Sequence, residues 1–245
     1  MSSAAASILI PGVLFLASLI RSSFGFGEAL IAVPLLALLI PVKMAAPIAV
    51  MASITVAFIV VVQDWRKICA RSAVRLVLPT MVGLPLGLLL VKTGAEAFVK
   101  GLLASVIILF SAFSLLGGRH RELRDDRFAW LFGFGAGVLG GAYGMNGPPL
   151  VVYGALRKWS PQHFRATLQG YFLPASLAGL GGYWLAGLWT PGVSRFYLLS
   201  LPFVVLATLI GRAINRRLTA HRFVLYLHCG LLAIGLMLLS QAVIG

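Results

Sequence analysis

The chain has 245 residues, of which 60% are hydrophobic and 11% charged, and its net charge is +14. Nearly every window of about 20 residues is apolar, which marks an integral membrane protein. The positive balance does not point to nucleic acid, because the charges lie between apolar runs rather than on one soluble face.

Residues 1–12 carry no basic region ahead of the first apolar stretch, so the first membrane segment is expected here and not a cleaved signal. The first apolar run, 5–40, is too long for one span and is interrupted at Ser22-Ser23-Phe24-Gly25-Phe26-Gly27. Runs follow at 44–62, 74–91 and 97–116. The longest hydrophilic stretch, 117–127, has the length of a linker. The next run, 128–157, is interrupted at 143–147, and further runs cover 166–188, 196–211 and 223–243. Backbone groups in lipid must be satisfied within their own segment, so every run is expected to be helical and the fold all-α and polytopic.

The second interruption, Gly144-Met145-Asn146-Gly147-Pro148-Pro149, breaks a helix where it ought to continue. Glycine and proline disrupt the hydrogen-bond ladder. Proline suits the first turn of a new helix, where a missing N–H costs little. The spacing therefore predicts a helix that stops near Tyr143 and restarts near Pro148. Such a break persists in a membrane only where it is buried in protein or lines a wet cavity. The N–H groups of a restarting helix favour an anion.

A shift of 119 residues lays Gly25 on Gly144, Phe24 on Tyr143, Gly27 on Asn146 and Pro41 on Ser160. The chain thus divides into two membrane repeats, 1–118 and 119–245. Broken helices in matching positions of two halves point to the binding site of a secondary transporter.

Charge decides how the breaks thread the membrane. Arg66, Lys67, Arg71 and Arg75 form one cluster, and Arg119, Arg121, Arg124 and Arg127 a second. Arg157, Lys158 and Arg165 form the third, and Arg212, Arg216, Arg217 and Arg222 the fourth. If each broken run enters and returns as a hairpin, these 15 of the 20 Lys and Arg share one side. Only Lys43, Lys92, Lys100 and Arg195 then lie in loops on the other. The positive-inside rule favours that arrangement. It puts both chain ends outside and makes the halves inverted repeats, each a hairpin plus three spans. The arm 28–40 would measure about 20 Å against a hydrocarbon core of roughly 30 Å.

Phe24-Gly25-Phe26-Gly27-Glu28-Ala29-Leu30-Ile31-Ala32-Val33-Pro34-Leu35 resembles the first glycine-rich signature of the sulfite exporter TauE/SafE family. Gly140-Gly141-Ala142-Tyr143-Gly144-Met145-Asn146-Gly147-Pro148-Pro149 resembles its counterpart in the second half. The resemblance extends over the whole chain in length, span count and repeat. It implies a permease for sulfite, sulfonates, sulfoacetate or related small anions. Glu28 stands where the family frequently has glycine, and Asn146-Gly147-Pro148-Pro149 replaces a plainer glycine string.

The candidate substrate-binding residues are Ser22, Ser23, Gly25, Gly27, Tyr143, Gly144, Asn146 and Gly147. Ser22, Ser23 and the N–H groups after Gly25 would form a donor nest for an anion, or else a local helix cap. Asn146 brings an amide donor to the second tip, or is there for left-handed turn geometry. Tyr143 and Phe24 would wall the pocket or simply pack. Glu28 is a carboxylate at a helix N-terminus inside the membrane, which is expensive unless paired or titrating. It either pairs with Arg21, carries a coupling proton, or keeps anions from its own tip.

Thr167, Gln169, His163 and Arg165 are read as a solvated face rather than a gate. His228 is read as a packing histidine, and Asp64-Trp65-Arg66-Lys67 as an interface anchor. Cys69 and Cys229 have no metal spacing and are not expected to pair, and neither cofactor nor metal is expected. The GxGxxG match at Gly135-Ala136-Gly137-Val138-Leu139-Gly140 lacks a preceding strand. Like Gly137-xxx-Gly141 and Gly83-xxx-Gly87, it is read as close helix packing. The usual signatures of ATP drive, zinc proteolysis and serine hydrolysis are absent from the sequence.

These readings converge on a multi-pass secondary transporter of the cell (inner) membrane. Its partners would be a small anion and the lipid bilayer, with no nucleic acid. Proton coupling and a homodimer stay open. The alternatives are a membrane-embedded enzyme, an accessory membrane subunit and a cation carrier.

Overall fold

The computed structural model describes residues 3–64, 70–116, 123, 127–159, 161–215, 231–240 and 242. The described residues form helices and no strand. The first half holds α1 (Ser3–Phe24), α2 (Glu28–Ala37), α3 (Val42–Asp64), α4 (Ala70–Thr93) and α5 (Glu96–Leu116). The second holds α6 (Phe128–Tyr143), α7 (Gly147–Leu156), α8 (Pro161–Leu185), α9 (Pro191–Asn215) and α10 (Leu231–Ser240). Five of them, α1, α3, α4, α5 and α9, are long and apolar enough to cross a membrane.

The two breaks fall where glycine and proline put them. α1 and α2 are separated by Gly25 and Gly27, with φ of 88° and 99°. α6 ends on Gly144 at φ 67°. The arms that follow are short: α2 and α7 have 10 residues each, about 15 Å of helix. α2 stops at Ala37, short of the expected residue 40, and gives way to a turn. Pro41 disfavours helix at the residue before it. The turn is closed by the amides of Leu39 and Ile40 on the carbonyl of Leu36.

Packing follows side-chain size. α4 lies along α6 with glycine on both sides of the seam. A Cβ at Gly83 would strike the carbonyl of Phe134, and one at Gly87 that of Val138. From the other side, Gly137 would strike Thr80 and Gly141 would strike Leu84. Small residues thus bring the two backbones together, as membrane helix pairs require. α1 and α9 form a second seam, where a Cβ at Gly211 would meet Ser22 and the Leu19 carbonyl. α3 and α8 pack against each other and link these pairs. α8 touches α3 and α4, and α9 touches α1 and α3. The same pairings therefore recur between the halves: α4 with α6 answers α9 with α1, and α4 with α8 answers α9 with α3.

The opposite faces are apolar and outward. Leu78, Val82, Leu86 and Leu89 of α4 are all more than half exposed, a stripe suited to lipid. Trp184 and Trp189 are exposed at and just beyond the end of α8, as in an interfacial aromatic belt. The largest buried cluster joins α1, α2, α3 and α5 to Tyr143, Met145 and Tyr183, directly around the two breaks.

Candidate functional site

α1 remains helical through Phe24, and the Gly25 N–H still donates to the Arg21 carbonyl. The chain then reverses at left-handed Gly27, which precedes α2 without a side-chain cap. The first-turn amides of Glu28, Ala29 and Leu30 consequently have no acceptor inside the helix. At the second tip, Gly144 and Met145 donate to the carbonyls of Gly140 and Leu139 and close α6. α7 restarts at Gly147, with Pro148 and Pro149 behind it. Proline has no N–H, so the α7 tip presents fewer amides than the α2 tip.

The two tips meet at one cavity. Gly27, Glu28, Ala29 and Leu30 line it from the first half, and Gly144, Met145, Asn146, Gly147 and Pro148 from the second. Phe26, Arg21 of α1, Ser53 of α3, Phe110 of α5 and Phe172 of α8 complete the wall. Its volume is about 20 Å³, room for roughly one water.

Arg21 and Glu28 are the ionisable side chains among these lining residues, and they form an ion pair of 2.5 Å. Both are buried, at 6% and 2% exposure. Arg21 also donates to the carbonyl and hydroxyl of Ser53, and its guanidinium lies 4.8 Å from the centroid of the Phe172 ring. The other Glu28 oxygen accepts from Ser18 at 2.8 Å. Burying a lone charge costs several kcal/mol, so each ion stays because the other neutralises it and hydrogen bonds complete its shell. The pair also ties the two arms of the first hairpin together.

Asn146 begins a hydrogen-bonded chain. Its amide nitrogen donates to the Tyr171 hydroxyl at 3.2 Å, and that hydroxyl lies 2.7 Å from Thr80 Oγ1. Thr80 Oγ1 is 2.8 Å from the carbonyls of both Leu76 and Gly133. Its one proton is directed to those acceptors, so Tyr171 must donate to Thr80 and accept from Asn146. The order fixes which end of the Asn146 amide faces Tyr171.

Of the sequence candidates, Gly27, Glu28, Gly144, Asn146 and Gly147 line the one cavity. Gly25 forms the turn behind it. Ser22 and Ser23 look toward α9: Ser23 donates to the Leu19 and Gly211 carbonyls, and Ser22 lies against Gly211. Tyr143 is fully buried and donates to the Val99 carbonyl of α5 at 2.9 Å. Thr167, read as solvated, is fully buried. Ser160, Cys69, Cys229 and His228 lie outside the described residues, as do the side chains of Phe24, Gln169 and Arg165. The sequence reading did not assign Ser53, Phe172, Tyr171 or Thr80. It saw Arg21 only as a partner for Glu28, although an arginine inside an apolar run is itself a signal.

A second cavity, of about 490 Å³, opens at the far end of α7. Ser72 and Arg75 of α4, Arg157, Lys158 and Trp159 of the α7–α8 turn, and His163 of α8 line it. Phe26 of the central cavity and Phe164, next to His163, meet edge to face with 6.0 Å between centroids.

The family model described as Sulfite exporter TauE/SafE matches residues 10–238. No curated protein and no solved structure matches the chain.

Proposed function

Because the chain belongs to the sulfite exporter TauE/SafE family, we propose that it is a secondary transporter carrying a small anion, such as sulfite or an organosulfonate, across the cell (inner) membrane. It is a multi-pass, all-α membrane protein. In this reading, residues 1–118 and 119–245 are inverted repeats and the anion binds between the two hairpin tips.

The observation that carries the reading is the convergence of both helix breaks on one cavity. Residues more than 100 positions apart, Gly27 and Gly144, line the same small space. Two interrupted helices are costly in lipid, and a site between them gives both interruptions a use. The α2 tip offers three first-turn amides, and Asn146 offers its side chain from the other tip. Glu28 is the coupling candidate. The cavity is too small for an oxyanion as it stands, so binding requires the tips to separate. Alternating access would let them separate toward one side at a time.

Reconstituted liposomes test this. Uptake of radiolabelled sulfite or methanesulfonate that depends on the protein, saturates and accelerates with a like anion trapped inside is the expected result. Flux no greater than that of empty liposomes for sulfite, sulfonates, sulfoacetate, sulfate and small carboxylates would sink the reading.

A further inference from the structure

We propose that Arg21 is the receptor for the charged group of the transported anion, and that Glu28 is its resident stand-in, displaced and protonated as the anion enters. The proposal rests on the transport reading above and gives that site its chemistry.

Arg21 is the one cation among the residues lining the central cavity, and Glu28 the one anion. The remaining wall brings Ser53 from α3, Phe110 from α5, Phe172 from α8 and Asn146 from the second tip, and no further ionisable group. The Arg21 Nη1 that meets Glu28 also donates to Ser53, and the guanidinium lies against the Phe172 ring, so contacts besides Glu28 hold it. It would therefore keep its place if the carboxylate left. Glu28 is anchored less firmly, to Arg21 and to the Ser18 hydroxyl, from the first residue of α2.

A carboxylate and a sulfonate or hydrogen sulfite offer guanidinium the same thing, a pair of anionic oxygens for two parallel hydrogen bonds. Glu28 already holds one such bond, from Arg21 Nη1 to its Oε2, while its Oε1 accepts from Ser18. The space left over admits about one water. Anion and carboxylate therefore exclude each other.

Charge sets the stoichiometry. The Arg21–Glu28 pair is neutral. A monoanion arriving alone would leave a buried net charge of −1. If one proton from the open aqueous side binds the displaced Glu28 carboxylate, the site is neutral again. The Ser18 hydroxyl, which donates to the carboxylate, can then accept from the carboxylic acid. A dianion with one proton would leave a buried charge, which is heavily penalised. The site thus favours monoanionic sulfonates or hydrogen sulfite, moved with one proton each.

The test uses the purified full chain, with methanesulfonate as the monoanion and sulfate as the dianion. Binding is measured by titration calorimetry in two buffers of different ionisation enthalpy, so that proton uptake is counted. Wild type is expected to take up about one proton per methanesulfonate and to bind sulfate at least about tenfold more weakly. Glu28→Gln should bind methanesulfonate about tenfold more tightly, because the competitor is gone, and take up no proton. Arg21→Gln leaves Glu28 without its cation and is prone to misfold. The double variant Arg21→Gln/Glu28→Gln removes both charges, and is expected to fold and to lose binding by about 100-fold. Weaker binding or undiminished proton uptake in Glu28→Gln overturns the proposal. So does wild-type affinity in the double variant. If neither wild type nor Glu28→Gln binds methanesulfonate, sulfite or sulfate, the transport reading fails, and this proposal with it.

Discussion

The Asn146 side chain occupies the space where Gly140 would carry a Cβ. One residue near the end of α6 is thus small so that another, at the start of α7, can fold back over it and reach Tyr171.

That relationship makes Asn146 and Gly140 a matched test of the site. A hydrogen bond to a charged ligand contributes about 1.5–3 kcal/mol, so Asn146→Ala should weaken anion binding roughly 10- to 100-fold. Gly140→Ala should push the amide off Tyr171 and weaken binding in the same direction without removing the group. Equilibrium binding in detergent checks both. Wild-type affinity in both variants would place the anion away from the second tip.

The α4–α6 seam should be intolerant of a single methyl. Gly87→Ala drives a Cβ into the Val138 carbonyl, an overpacking expected to cost about 1–3 kcal/mol. Gly181 of α8 has open space where its Cβ would go, so Gly181→Ala should be neutral or gain about 0.5–1 kcal/mol. Thermal unfolding in one detergent compares them, and equal midpoints would contradict the seam.

The contact of Phe164 with Phe26, a wall residue of the central cavity, is expected to hold solute back. Phe164→Ala removes the ring facing Phe26 and should raise uncoupled anion leak through liposomes severalfold. An unchanged leak would mean that the barrier lies elsewhere along the path.

Orientation is tested from outside the cell. With 15 of the 20 Lys and Arg assigned to one side, both chain ends are expected outside the cytoplasm. With Cys69 and Cys229 replaced by serine, single cysteines at Ser2 and Gly245 should react with an impermeant maleimide in intact cells. Reaction only after permeabilisation would reverse the assignment.

The breaks were legible because glycine and proline act locally: Gly144 ends α6 whatever surrounds it, and Pro148 sits where a helix can begin. The glycine pairs were legible as packing surfaces, but not that Gly83 and Gly87 would face Gly137 and Gly141. That pairing depends on how distant helices assemble. Ser22 and Ser23 show the same limit. Helix α1 runs on to Phe24, so Ser23 bonds back to Leu19, its i−4 carbonyl, and faces α9. Tyr171 and Thr80 carried no motif at all. They join the site only because α8 and α4 pass beside the second tip.

The glycine seams bear on which parts of the molecule stay rigid during a transport cycle. α4 comes from the first half of the sequence and α6 from the second. α1 and α9 are likewise drawn from opposite halves. At both seams backbone meets backbone, and sliding there would drive carbonyls into neighbouring chain. The bodies that keep their shape are therefore the mixed pairs, α4 with α6 and α1 with α9. The midpoint of the sequence is therefore not expected to act as a mechanical joint. Displacing 1–118 as a block against 119–245 would tear both seams. A movement that opens the tips must instead run between the pairs, through the side-chain contacts of α3 and α8.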